Sequence, residues 1–168
     1  MLRTELRLVP HHPRWAEFFG IERERLAKAL GPLVLEIEHV GSTSVPDLLA
    51  KPVIDIGMTV TSVADFEPCV GPVSGLGYEY RGQHGEDPLR RYFILEDGER
   101  RMAQIHLWTR DAEAWREAIR FKELLRDDEQ LRRAYEEEKL RVAQEVDWNK
   151  QAYSLGKGPF IQDVLKSR

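Results

Sequence analysis

The stretch Val53–Val60, VIDIGMTV, constrains this chain more than any other. Its period of two sets Ile54, Ile56, Met58 and Val60 on one face. Val53, Asp55, Gly57 and Thr59 fall on the other. A strand with one wholly aliphatic face has to lie in a sheet whose face is covered by other elements. Its opposite face presents a carboxylate.

The flanking segments say what covers it. From Pro13 to Leu30, apolar residues at Trp15, Phe18, Phe19, Leu26, Ala29 and Leu30 form a helical stripe, which Gly31-Pro32 stops. Leu33–Val40 reads as a strand, Leu35 and Ile37 alternating with Glu36 and Glu38. Gly41–Asp47 reads as a turn feeding a short helix that starts near Pro46 and ends at Lys51-Pro52. An irregular helix is expected over 62–76 and a strand over 78–81. Arg91–Leu95 and Met102–Trp108 flank an Asp97-Gly98 turn and read as a hairpin. From Asp111 onward the pattern is helical. The expectation is an α+β fold in one domain, residues 1–168: a mixed β-sheet with flanking helices and a helical C-terminal third, 109–168. At 168 residues, such a domain buries roughly 70% of its unfolded surface, enough for a core without staples.

Charge and cysteine narrow the function classes. Net charge is −4; residues 109–168 balance 13 basic against 13 acidic side chains, and 1–108 hold 12 against 16. Neither part is a basic face for tracking a phosphate backbone, so no extended nucleic acid is expected as partner. The single Cys69 forms no internal disulfide. No secretory leader and no run of about 18 apolar residues is present, so no membrane partner and a cytoplasmic location are expected.

The chemistry concentrates in His39–Met58, HVGSTSVPDLLAKPVIDIGM. Gly41 permits close backbone approach, and Ser42, Thr43 and the following N–H groups offer donors to an anion. Asp55 on the next strand is placed to hold a divalent cation that bridges to the same phosphate. Taken alone, Gly41-Ser42 is more often a plain strand-to-helix turn than an anion site, and Lys51 either neutralises a phosphate or pairs with Asp55. His39 at a strand end suits a hydrogen-bonded structural role or a ligand contact. His106 alternates with Gln104 and Trp108, so the three share a face. If that face lines the cleft, His106 is a candidate general base. Arg90 or Arg91 would supply a fork for phosphate.

Gly41-Ser42 followed at the right distance by Asp55 resembles the signature of the polymerase-β-like nucleotidyltransferase superfamily. The longer series resembles the GrpB family: Glu38–Thr43, Val45-Pro46, Lys51-Pro52, Asp55-Ile56, Arg90–Phe93, Ile105–Leu107, Tyr135 with Lys139, Tyr153 and Lys157. This resemblance implies a nucleotidyltransferase-like fold and a small phosphorylated ligand such as ATP. It implies binding by Gly41, Ser42, Thr43, Lys51, Arg91, His39, Lys139 and Lys157, with Asp55 and His106 as catalytic residues. Mg²⁺ would sit on Asp55 with Glu38 or Glu36, for nucleotidyl transfer to an acceptor. The chain departs from the active pattern at Gly57, where a second carboxylate is expected, and at Gln104, near the place of a third. The alternative is therefore a non-catalytic phosphate-ligand or interaction module; phosphoester hydrolysis by His106 is a third reading. A carboxylate placed at 57 is expected to join Asp55 on the same strand face.

Overall fold

A computed structural model of the chain describes residues 6–168. Helix α1 (Arg14–Leu30) ends at Gly31, whose φ of 53° few other residues adopt cheaply. Strands β1 (Glu36–Val40) and β2 (Ile54–Val60) flank a 3-10 turn, Ser42–Ser44. Helix α2 (Phe66–Ser74) follows a capping box at Ser62, where Asp65 answers the backbone. Three strands come next: β3 (Glu79–Gln83), β4 (Arg90–Asp97) and β5 (Arg100–Thr109). The chain closes with α3 (Glu113–Asp127), α4 (Glu129–Glu145), α5 (Lys150–Gly156) and α6 (Gly158–Ser167).

The five strands form one mixed sheet in the order β1-β2-β5-β4-β3, with β2 and β5 parallel and the other pairs antiparallel. The aliphatic face of β2 packs with Phe93, Ile105 and Leu107 against α1 and α2. Ile56, Met58 and Val60 have no exposure at all. A second cluster ties Val45 and Leu48 to Leu125, Leu131 and Tyr135 of the C-terminal helices. The helical third is thus docked onto the turn between β1 and β2.

Three local expectations are corrected. No helix follows Pro46: Asp47 has a φ of 61°, which breaks a right-handed run, and Ala50 instead bridges to Val9. The segment is shaped by burial of Val45 and Leu48 rather than by its own propensity. The first strand starts at Glu36, because Gly31–Leu33 is a 3-10 turn. The third strand runs 79–83. The C-terminal third is four helices, separated at the Asp128 cap, at Asp147 and Trp148, which both have positive φ, and at Lys157.

Candidate functional site

The parallel pairing of β2 with β5 builds the floor. Asp55 lies opposite Gln104, Gly57 opposite His106 and Thr59 opposite Trp108, so these side chains share the face away from α1. Across β5, Arg90 pairs with Trp108 and Tyr92 with His106. The Gly41–Ser44 turn leans over this floor. Gly41 has a φ of 72°, and a Cβ there would lie 2.5 Å from Asp55 Oδ2. Only glycine meets both demands. From behind, Lys139 of α4 donates to Ser42 Oγ at 3.3 Å and to the Leu49 carbonyl, and its ammonium lies over the Tyr135 ring.

Floor, turn and helices enclose a cavity of about 320 Å³. Its charged lining comprises Lys51, Arg90, Lys122 and Lys157 against Asp55 and Glu117. The opposite wall is apolar, with Phe121, Leu125 and Ile161 prominent. Glu117 is bonded by Gln162, and Lys122 pairs with Glu38 at 3.7 Å.

Asp55 is tightly held. Oδ1 accepts from Gln104 Nε2 at 2.5 Å and from His106 Nε2 at 3.2 Å. Burial pushes its carboxyl upward, but the His106 bond and charge, Lys51 and Gln104 outweigh burial, so it titrates at about 2. On His106, burial lowers the imidazole below its ordinary value despite the Asp55 carboxylate. Arg90 Nη2 lies 3.0 Å from His106 Nδ1. A guanidinium only donates, so Nδ1 is the acceptor and the proton sits on Nε2, facing Asp55. Both ring nitrogens are occupied, and His106 holds Asp55 rather than standing free as a base. Burial and the neighbouring Lys51 charge pull Lys157 down to about 8, against the opposing pull of Asp55. Burial, with Lys157 nearby, takes Lys139 to about 7.

Gly41, Ser42, Thr43, Lys51, Asp55, His106 and Lys157 all line the cavity. Lys139 sits behind it, 1% exposed. Glu38 is on the same sheet face but outside the lining, engaged by Lys122; Glu36 is exposed at the far end of β1.

Two assignments are corrected. His39 points to the α1 face, as its pairing with Ile56 requires. It stacks on Phe19 at 4.9 Å and its Nε2 meets Thr43 Oγ1 at 2.9 Å. Burial drives it down to about 4, the Asp55 charge notwithstanding, so it is a neutral prop for the turn. Arg91 pairs with core-facing Leu107 and lies over the Phe66 ring at 4.6 Å, away from the cavity. Arg90 is the arginine in the lining, its guanidinium 5.5 Å from the Trp108 centroid. Its buried Nε has no partner among the described residues. A third correction concerns Gly57: a Cβ there would meet Trp115 at 2.8 Å, Trp108 at 3.2 Å and Val40 at 3.3 Å. Indoles fill the space where a second carboxylate was expected to fit.

From sequence, Gln104 is no more than a departure, and Phe121 and Lys122 belong to the GrpB-like series, which includes Phe121–Arg126, without a site role. Gln104 was legible from its alternation with His106; for Phe121 and Lys122 that series is the signal, and no local pattern on their distant helix adds to it. For a divalent cation the donor set falls short. No group of three or more His, Cys, Asp or Glu side chains is gathered among the described residues. The residues do not fit a paired-carboxylate metal centre.

Comparison with known proteins agrees with this architecture. Residues 5–167 match the GrpB protein family. A UPF0157 protein of Halalkalibacterium halodurans is 33% identical over 97% of this chain and 82% of its own length. One from Streptomyces coelicolor is 36% identical over 98% and 84%. A dephospho-CoA kinase of Mycolicibacterium paratuberculosis is 29% identical over 98% of this chain, which spans 46% of that protein. The crystal structure of the conserved protein GrpB from Enterococcus faecalis superposes with a TM-score of 0.84 at 29% identity, covering 96% of each chain. Cid1 poly(U) polymerase with MgGTP bound gives 0.53 at 15% identity over 78% of this chain and 42% of that one, a likeness of fold. The chain belongs to the GrpB family and has a nucleotidyltransferase-like fold. No helix among the described residues is long and apolar enough to cross a membrane.

Proposed function

We propose that the cavity binds a small phosphate-bearing ligand, with a nucleotide such as ATP as the first candidate. The observation that carries this reading is the meeting of Lys51, Lys157 and Arg90 with the Gly41–Thr43 turn in one cavity. Cations and turn donors suit the phosphate end. The Phe121, Leu125 and Ile161 wall suits an apolar or planar group. A volume of about 320 Å³ lies at the low end for small-molecule sites and suits one compact ligand. The nucleotide is tried first because Cid1, which shares the fold, holds MgGTP.

Of the two roles implied by the resemblance, the binding module is the better supported. Metal-assisted nucleotidyl transfer needs carboxylates converging on a cation, and Asp55 is the lone carboxylate on its strand face. The experiment is isothermal titration of ATP and AMP into the protein and its Lys51→Ala and Lys157→Ala variants. Charge-assisted contacts contribute about 1.5–3 kcal/mol, so each variant should bind roughly tenfold or more weakly. Saturable binding that ignores both substitutions, or no binding to either nucleotide, refutes the proposal. Steady release of pyrophosphate from ATP refutes the binding-only role.

A further inference from the structure

The Asp55 carboxylate in the cavity lining already accepts from two nitrogen donors at Oδ1, and each donor is fixed from behind. Tyr92 donates its hydroxyl to Gln104 Oε1 at 2.5 Å, and Arg101 Nη1 lies 3.3 Å from the same hydroxyl. That orients the amide, leaving its NH₂ for Asp55. Arg90 likewise fixes the His106 tautomer. Two relays therefore end on Asp55 Oδ1: Arg101–Tyr92–Gln104 from one side and Arg90–His106 from the other.

We infer that Gln104 and His106 replace a divalent cation at Asp55 with side-chain N–H donors, so that this cleft takes an anionic ligand without metal. A cation at Oδ1 would have to displace two part-buried hydrogen bonds and sit among Lys51, Arg90 and Lys157. Those three cations do for a phosphate what a metal would otherwise do. The chemistry turns on one side chain. Gln104 lies in register with Asp55 on the adjacent parallel strand, its amide nitrogen in contact with the carboxylate. Gln104→Glu would set two carboxylates against each other, an arrangement that repels until a cation bridges it.

The ligand half of this inference rests on the proposed function; the metal half does not. Mn²⁺ titration followed by electron paramagnetic resonance tests the metal half on the wild type, Asp55→Asn, Gln104→Glu and the double variant. The wild type should hold no Mn²⁺ that Asp55→Asn removes. Gln104→Glu should bind Mn²⁺ at least tenfold more tightly than the wild type, and the double variant should lose that gain. Wild-type Mn²⁺ binding abolished by Asp55→Asn overturns the inference, as does a folded Gln104→Glu protein with no gain. If Gln104→Glu does not fold, the wild-type and Asp55→Asn pair still decides. For the ligand half, AMP and ATP affinities are compared in EDTA and in Mg²⁺. Equal affinities are expected, with Asp55→Asn strengthening binding severalfold by removing a negative charge beside the phosphate. A need for Mg²⁺, or loss of binding in Asp55→Asn, overturns it. If neither nucleotide binds under any condition, the proposed function fails while the Mn²⁺ result stands.

Discussion

Replacing Gly41 by alanine tests whether the turn and Asp55 are built against each other. Two costs combine. A φ of 72° is expensive for a residue with a Cβ, roughly 1–2 kcal/mol. The new Cβ would also stand 2.5 Å from Asp55 Oδ2 and 3.2 Å from Asp55 Cβ and Cγ. Asp55 would have to move, and its hydrogen bonds from Gln104 and His106 would stretch. Bonds to a charged group contribute about 1.5–3 kcal/mol each, so weakening them brings the total to roughly 3–5 kcal/mol. For a protein of this length, that lowers Tm by on the order of 10 °C. Two glycines separate the causes. Gly31 has a φ of 53° and open space around its missing Cβ, so Gly31→Ala should cost the backbone part alone. Gly57 has ordinary backbone geometry and a 2.8 Å contact to Trp115, so Gly57→Ala should cost the steric part alone. Thermal unfolding of all three by circular dichroism is the assay. If Gly41→Ala loses no more stability than Gly31→Ala, the close approach to Asp55 is not a constraint and the argument fails.

Three further outcomes are expected. Arg90→Ala should weaken AMP binding about tenfold in calorimetry and Arg91→Ala should leave it unchanged; the reverse would return Arg91 to the cleft. His39 titrates at about 4 when folded and near 6.5 when unfolded, so the unfolded chain takes up a proton first. Stability, read by urea denaturation, should fall as pH drops from about 6.5 through about 4, and His39→Asn should flatten that slope. Lys157 titrates at about 8 between Lys51 and Asp55, so phosphate binding should fade as pH rises through about 8. Lys157→Arg should extend it to higher pH.

Much of the site was legible because it depends on alternation along single strands. Period two alone places Asp55 on the face of Val53 and Thr59, and groups Gln104, His106 and Trp108. The same rule places His39 with Ile37 in the core, so that contact was readable from β1 itself. The Gly41–Thr43 turn was marked by its residue types, since a strand entering Gly-Ser has few other continuations. The tertiary structure decided what depends on partners far along the chain. A bulge between Leu95 and Glu96 shifts the hairpin by one residue. Counting from the Asp97–Arg100 pair without it would set Arg91 opposite His106; with it, Arg90 takes the cleft face and Arg91 the other. The alternation of β2 alone leaves Gly57 open to a side chain; Trp115, carried in on α3, closes over it. The segment after Pro46 gave up its helix to bury Val45 and Leu48 under α3 and α4. Periodicity is a property of consecutive residues and survives in the sequence. Register slips and the filling of space by a distant helix are set by packing between elements, and no local pattern records them.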